Sequence, residues 1–160
     1  MQSTRAAGTA SLLALAIGCE VPIEQPIRFN HAVHIKNDLK CLDCHQHFDS
    51  AEFSGLPGIE MCAECHEEPM TKSPEEVRLI EFTKRGEELP WQRVYDLPED
   101  VFYSHRRHVV VAKIECKTCH GDVGRLTEPP EQPLVTQTME WCIDCHLARG
   151  ASVDCIHCHR

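Results

Sequence analysis

The sequence predicts a mainly irregular chain with few short α-helices, wrapped around large groups bonded to it. Three observations carry that expectation. The 160 residues include 11 Cys and 11 His, far above ordinary usage for a soluble domain. Ten of the cysteines stand in Cys-x-x-Cys pairs, each followed at once by His: Cys41/Cys44/His45, Cys62/Cys65/His66, Cys116/Cys119/His120, Cys142/Cys145/His146 and Cys155/Cys158/His159. The stretches between the pairs are rich in Pro, Glu and Asp, and at this length an apolar core alone leaves a marginal domain.

The spacing of the pairs names what fills the interior. In Cys-x-x-Cys-His two thiols add across the vinyl groups of one haem, and the adjacent His is set beneath the iron as its proximal ligand. A zinc site needs only the Cys pairs and gives no reason for His to follow every one of them. A disulfide framework is open to an exported chain but leaves the same regularity unexplained. The chain is therefore expected to bind five c-type haems, proximal to His45, His66, His120, His146 and His159, each a flat apolar body around which a short polypeptide can fold.

Residues 1–18 read as a secretory signal, with Arg5 followed by an apolar run from Ala10 to Ile17 that is too short to span a bilayer. The unpaired Cys19 after Leu15-Ala16-Ile17-Gly18 resembles a lipobox cysteine, with Ala16 where that motif has Leu. Lipidation of Cys19 is expected. Residues 19–28, with two prolines and no periodicity, read as an extended tether. The haem domain follows at 29–160, divided into a two-haem block at 29–70, a helix and connector at 71–100, and a three-haem block at 101–160.

One convincing helix lies in the connector. Ser73 is its N-cap, Pro74 its first residue, and Glu76 completes a capping box. Val77, Leu79, Ile80 and Phe82 form an apolar stripe, and Lys84-Arg85-Gly86 close it. The stripe is expected to pack against a haem edge or the neighbouring lobe.

The two blocks are a diverged repeat. Phe29-x-His31-x-x-His34 precedes Cys41, and Tyr103-x-His105-x-x-His108 precedes Cys116. Each pair of histidines is expected on one helical turn, facing one side. Besides the proximal set the chain has six histidines, His31, His34, His47, His105, His108 and His157, so the supply nearly equals the demand for a second His on every iron. His31, His34, His105 and His108 are the expected distal ligands. His47 is the first candidate for the fifth, with His157, Met61 and Met139 open alternatives. A Met ligand would raise that haem's potential, although Met139 also suits packing on a porphyrin face.

These units resemble the class III cytochrome c and cytochrome c7 group. The stretches Gln25-Pro-Ile-Arg-Phe-Asn-His31, Ser54-Gly-Leu-Pro-Gly58, Pro90-Trp-Gln-Arg-Val-Tyr-Asp-Leu-Pro98, Val101-Phe-Tyr-Ser-His105 and Met139-Glu-Trp-Cys142 more closely resemble the pentahaem cytochrome subunit of alternative complex III, a quinol:electron-acceptor oxidoreductase. The resemblance implies a periplasm-facing subunit. It would take electrons from an iron-sulfur or other redox subunit of a membrane complex and hand them to a downstream cytochrome c or an oxidase.

The charge of −9 argues against nucleic acid, which needs a basic stripe, and favours a partner protein with a basic face. An electron-transfer role with no bond chemistry of its own is the leading expectation, on the periplasmic side of a bacterial membrane or the cell surface. The alternatives are a free lipid-anchored carrier and a haem enzyme with one open iron site. The histidine count leaves little room for the latter.

Overall fold

The computed structural model describes residues 22–159. Seven short α-helices follow in chain order: α1 (His31–Lys36), α2 (Cys41–Cys44), α3 (Ile59–Ala63), α4 (Pro74–Arg85), α5 (Cys116–His120), α6 (Met139–Ala148) and α7 (Cys155–Cys158). A π-helical turn spans Arg106–Val111 and a 3-10 turn spans Val123–Arg125. The described residues contain no β-strand, only an antiparallel bridge between Val101 and His159. None of their helices is long and apolar enough to cross a membrane. Cys19 and the expected signal lie outside the described residues.

Helix α4 has the predicted limits. Ser73 Oγ accepts from Glu75 N–H at 3.3 Å, and Gly86 closes the helix at φ 64°, a left-handed conformation that glycine adopts without steric cost. The capping box, however, does not form. Glu76 turns away from Ser73 and reaches one turn further back along the chain, to Met70, Thr71 and His66.

The apolar core is small and lies on one side. Ile27, Ile59, Leu79 and Leu89 are buried together, with Phe29, Cys62, Phe82 and Trp91 packed against them. Each fully buried aliphatic side chain stabilises by about 1.5–3 kcal/mol. The stripe of α4 is thus turned to α3 and the Cys62 segment, while its Val77 stays exposed. Trp91 joins the same layer and donates from Nε1 to Pro57 O at 3.0 Å.

Residues 22–28 hold no helix or strand, bend at Pro26–Ile27, where Ile27 enters the core, and are tied to the body. Gln25 and Gln92 exchange two hydrogen bonds, at 2.8 and 3.0 Å, Arg28 N–H donates to Glu75 at 2.8 Å, and the Arg28 guanidinium pairs with Glu128. Helix α1 packs on the Val123–Arg125 turn, where Ala32 N–H donates to Leu126 O at 3.0 Å. The two repeat blocks are thereby docked to each other.

Candidate functional site

The repeat seen in the sequence is a repeat in space. Phe29 lies edge-on to His31 (4.8 Å between ring centres, 83°) and stacks on His34 (4.4 Å, 20°). Tyr103 does the same with His105 (4.8 Å, 88°) and His108 (4.7 Å, 24°). An aromatic ring so wedged between two imidazoles fixes the direction of each. His31 and His34 share α1 as expected, whereas His105 caps the π-helical turn on which His108 sits.

The distal candidates reach the proximal histidines of different motifs. His34 faces His66 at 6.3 Å between ring centres, His105 faces His120 at 6.3 Å, and His108 faces His146 at 6.0 Å. Two imidazoles that share one metal ion, each through a bond of about 2.0 Å, have ring centres roughly 6 Å apart. Those spacings would suit two histidines that hold one metal ion between them. His31 lies in electrostatic reach of His45.

Most of these rings are also held by their other nitrogen. His34 and His108 Nδ1 donate to the carbonyls of Asn30 and Ser104 at 2.8 and 2.9 Å, and His105 Nδ1 to Glu52 O at 3.0 Å. Among the proximal set, His45 and His146 donate to Gly55 O and Ser152 O, both at 2.7 Å, His66 to Glu76 at 3.0 Å and His159 to Asp100 at 3.2 Å. A bonded Nδ1–H leaves the Nε2 lone pair to face outward, the arrangement that metal-binding histidines use. His31 differs: its Nδ1 is buried with no hydrogen-bond partner. Burial first, then the nearby His45 and His34, hold its pKa down to about 4, and burial likewise lowers His120. Both rings are neutral, with lone pairs free to bind, at ordinary pH.

A cavity of about 410 Å³ joins the two blocks. His31, His34, His45, His105, His108 and His120 line it, with Cys41, Cys44, Cys116 and Cys119. No two of the ten motif cysteines are joined in a disulfide, and no cluster of three or more His, Cys, Asp or Glu among the described residues is gathered as a metal cage. The thiols lie in a sequence of neighbours. Burial, and then Cys44, push Cys62 up to about 11, Cys116 touches Cys41, Cys119 is flanked by Cys145 and Cys142, and Cys142 by Cys158.

Cys65 does not join that sequence. Expected to hold a haem together with Cys62, it is exposed and is not among the residues that line the cavity. The reason is local: α3 ends at Ala63, and the tight turn in which Cys65 N–H donates to Cys62 O at 3.3 Å leaves Cys62 packed on the apolar core and Cys65 on the solvent side. Cys155, the first thiol of the last motif, is likewise exposed and away from the cavity. Cys41 is exposed as well, although it lines the cavity.

His47 stands apart from that cavity. It is exposed, its ring packs against Gly55 (φ +88°), where an added Cβ would come within 2.9 Å of it, and it makes no ring contact with another histidine. His157 is exposed, its Nδ1 bonded to Ser152 Oγ at 2.7 Å. Met139 is exposed at the first position of α6. Two residues that sequence reasoning passed over also belong to the site. Glu76 was read as a cap, and Tyr95 donates from its hydroxyl to His120 O at 3.0 Å with its ring edge-on to that of His120. Only the aromatic in the Pro90–Pro98 stretch hinted at the second.

Comparison with known proteins decides the family. The class III cytochrome c family matches residues 14–86, and cytochrome c7 and related cytochrome c match residues 101–160. The chain is 34% identical over 162 residues to the multiheme cytochrome c subunit of a menaquinone reductase from Nitratidesulfovibrio vulgaris, covering 86% of this chain and 77% of that one. This chain is a multihaem cytochrome c of the class III group. Its facing imidazoles, buried His31 nitrogen and apolar cavity between thiol pairs fit covalently held haem. The cytochrome is an electron-transfer protein of short helices and irregular chain, as expected.

Proposed function

We propose that the cytochrome binds five haems, each between two histidines, and relays single electrons along them. The observation that carries this is the spacing of three histidine pairs at 6.0–6.3 Å. Bound c-type haem supplies an iron that alternates between ferric and ferrous states. The chain aims the ligands and excludes water. The pairs are His31 with His45, His34 with His66, His105 with His120, and His108 with His146. His47 is the partner for His159, because its loop abuts the 101–105 segment through Glu52 and His105, and Val101 in that segment bridges to His159.

The haem sites form an unbranched row that does not follow the chain. The site of Cys62 and Cys65 neighbours the Cys41 site, since Phe29 brackets one ligand of each. The Cys41 and Cys116 sites line one cavity. Tyr103 brackets ligands of the Cys116 and Cys142 sites. The Cys155 site closes the row, its Cys158 carbonyl accepting from Phe102 N–H at 2.7 Å beside Tyr103. Electrons thus enter and leave at His66 and His159, the two ends of the row.

The cytochrome works on the periplasmic side of the membrane, held by a lipid on Cys19, as a subunit of a quinone-linked complex. Its partners are an iron-sulfur or other redox subunit and a downstream cytochrome c or oxidase. The resemblance in the sequence implies quinol oxidation, and the relative's name points to menaquinone reduction. A row of haems carries electrons either way.

The first test is an optical spectrum of the exported protein with haem quantification and added carbon monoxide. Five low-spin haems per chain that ignore carbon monoxide are expected. A high-spin fraction that binds it makes the cytochrome an enzyme with an open iron. For the anchor, mass spectrometry of the exported protein should find a lipid on Cys19, and an unmodified Cys19 would exclude it.

A further inference from the structure

Each proximal histidine has its own setting, and that of His66 is unlike the rest. His45 and His146 donate to backbone carbonyls. His159 donates to Asp100, whose side chain is 63% exposed. His66 donates to Glu76, a carboxylate whose side chain is 6% exposed. That carboxylate is no stray charge. Its two oxygens also accept from Met70 N–H at 2.9 Å, Thr71 N–H at 2.7 Å and the Thr71 hydroxyl, and it stands in the first turn of α4, where the helix dipole favours an anion.

A buried anion needs such a set of donors to persist. With Met70 N–H, Thr71 N–H and the Thr71 hydroxyl all donating to it, the Glu76 carboxylate has that set. It is a fixed negative charge, screened from water, with one oxygen on the far nitrogen of a ligand ring. Adding an electron on the other side of that ring places like charge beside like charge in a low-dielectric setting. Partial proton sharing from Nδ1 also makes the imidazole a stronger donor, which favours the ferric state.

We propose that Glu76 is a positioning residue that lowers the reduction potential of the haem held by His66, making that end of the row the low-potential terminus. This rests on the haem relay proposed above and adds a direction to it. Electrons run downhill away from the His66 end, so the donor docks there, beside α3 and the start of α4. Asp100 acts in the same sense at His159 but weakly, because water screens it.

The test is a spectroelectrochemical titration of the full, haem-loaded protein, which resolves the one-electron steps. In Glu76→Gln one step should move positive by at least tenfold in its equilibrium constant, about 59 mV for one electron, with the other four near their places. Asp100→Asn should move a different step, and less. Five loaded haems with no step moved by Glu76→Gln, or one step moved by both variants, would overturn the proposal. Should Glu76→Gln fail to retain its haems, Glu76→Asp decides. That shorter carboxylate should move the same step by a smaller amount, and an unmoved step, or haem loss from this variant too, assigns Glu76 a purely structural role. Failure of the relay itself would look different: fewer than five low-spin haems in the unaltered protein.

Discussion

The two repeat blocks build the same ring cage on different foundations. The aromatic wedge and its two histidines agree to within about 0.3 Å and 5° between Phe29 and Tyr103, although α1 is an α-helix and the second copy rides on a π-helical turn. All the buried hydrophobic residues among those described, Ile27, Ile59, Leu79, Ile80 and Leu89, lie with the first block and its connector, and none lies in residues 101–159. The lesson is that the ring geometry, held by the aromatic wedge and by the carbonyls of Asn30 and Ser104, survives a change of helix type beneath it. The first block has a small core of its own. The second has to take its interior from what is bonded to its cysteines.

The strongest way to break that comparison is to withhold haem. Protein exported without haem attachment should lose the second block first, and limited proteolysis should leave fragments from residues 22–90 that outlast any from 101–159. Equal survival of the two would put an unseen core in the second block.

Next in size are side-chain deletions in the two blocks. Leu79→Ala should cost about 2–5 kcal/mol in denaturant unfolding, as for other buried leucines. Leu147→Ala, on the 62% exposed α6 residue, should cost less than about 0.5 kcal/mol. Similar costs would mean that haem covers Leu147 as fully as protein covers Leu79.

The wedges offer a finer comparison. Phe29→Leu and Tyr103→Leu each remove ring contacts worth about 0.5–1.5 kcal/mol and should each give a partly high-spin spectrum at two sites. Phe29→Leu should be the more destabilising, because Phe29 also meets Trp91 edge-on at 6.3 Å and packs on the core.

The smallest effect concerns the tie between the blocks. Arg28 donates to Glu128 and holds that carboxyl below its ordinary 4.5. A depressed folded-state value contributes stability that is complete above the ordinary value and lost as pH falls through the folded one. Both groups are exposed, so water and salt weaken the pair. The thermal midpoint of Glu128→Gln should trail the parent slightly at neutral pH and meet it in acid.

Much of this was legible because it is local. Helix α4 begins and ends where Ser73, Pro74 and Gly86 say it should, since caps and left-handed turns act within a few residues. The family was legible in the repeated motif. The role of Glu76 was not. A glutamate three residues after a serine N-cap looks the same whether it bonds the cap or turns outward, and the choice was made by Thr71 and His66, which fold back over it. Nor does the motif distinguish Cys65 from Cys44, although one is exposed and the other lines the cavity.

By itself the sequence determined the five Cys-x-x-Cys-His motifs, the repeated aromatic-x-His-x-x-His units and the capped helix of the connector. Only the tertiary structure decided which histidine faces which, the observation from which the order of the row is proposed. His34 stands just before the Cys41 motif yet faces His66, and His105 crosses to meet Glu52 O of the other block. Spacing along the chain governs what one helical turn presents, whereas pairing across turns depends on how α1, the Val123–Arg125 turn and the 47–55 loop dock, and those contacts join residues far apart in sequence.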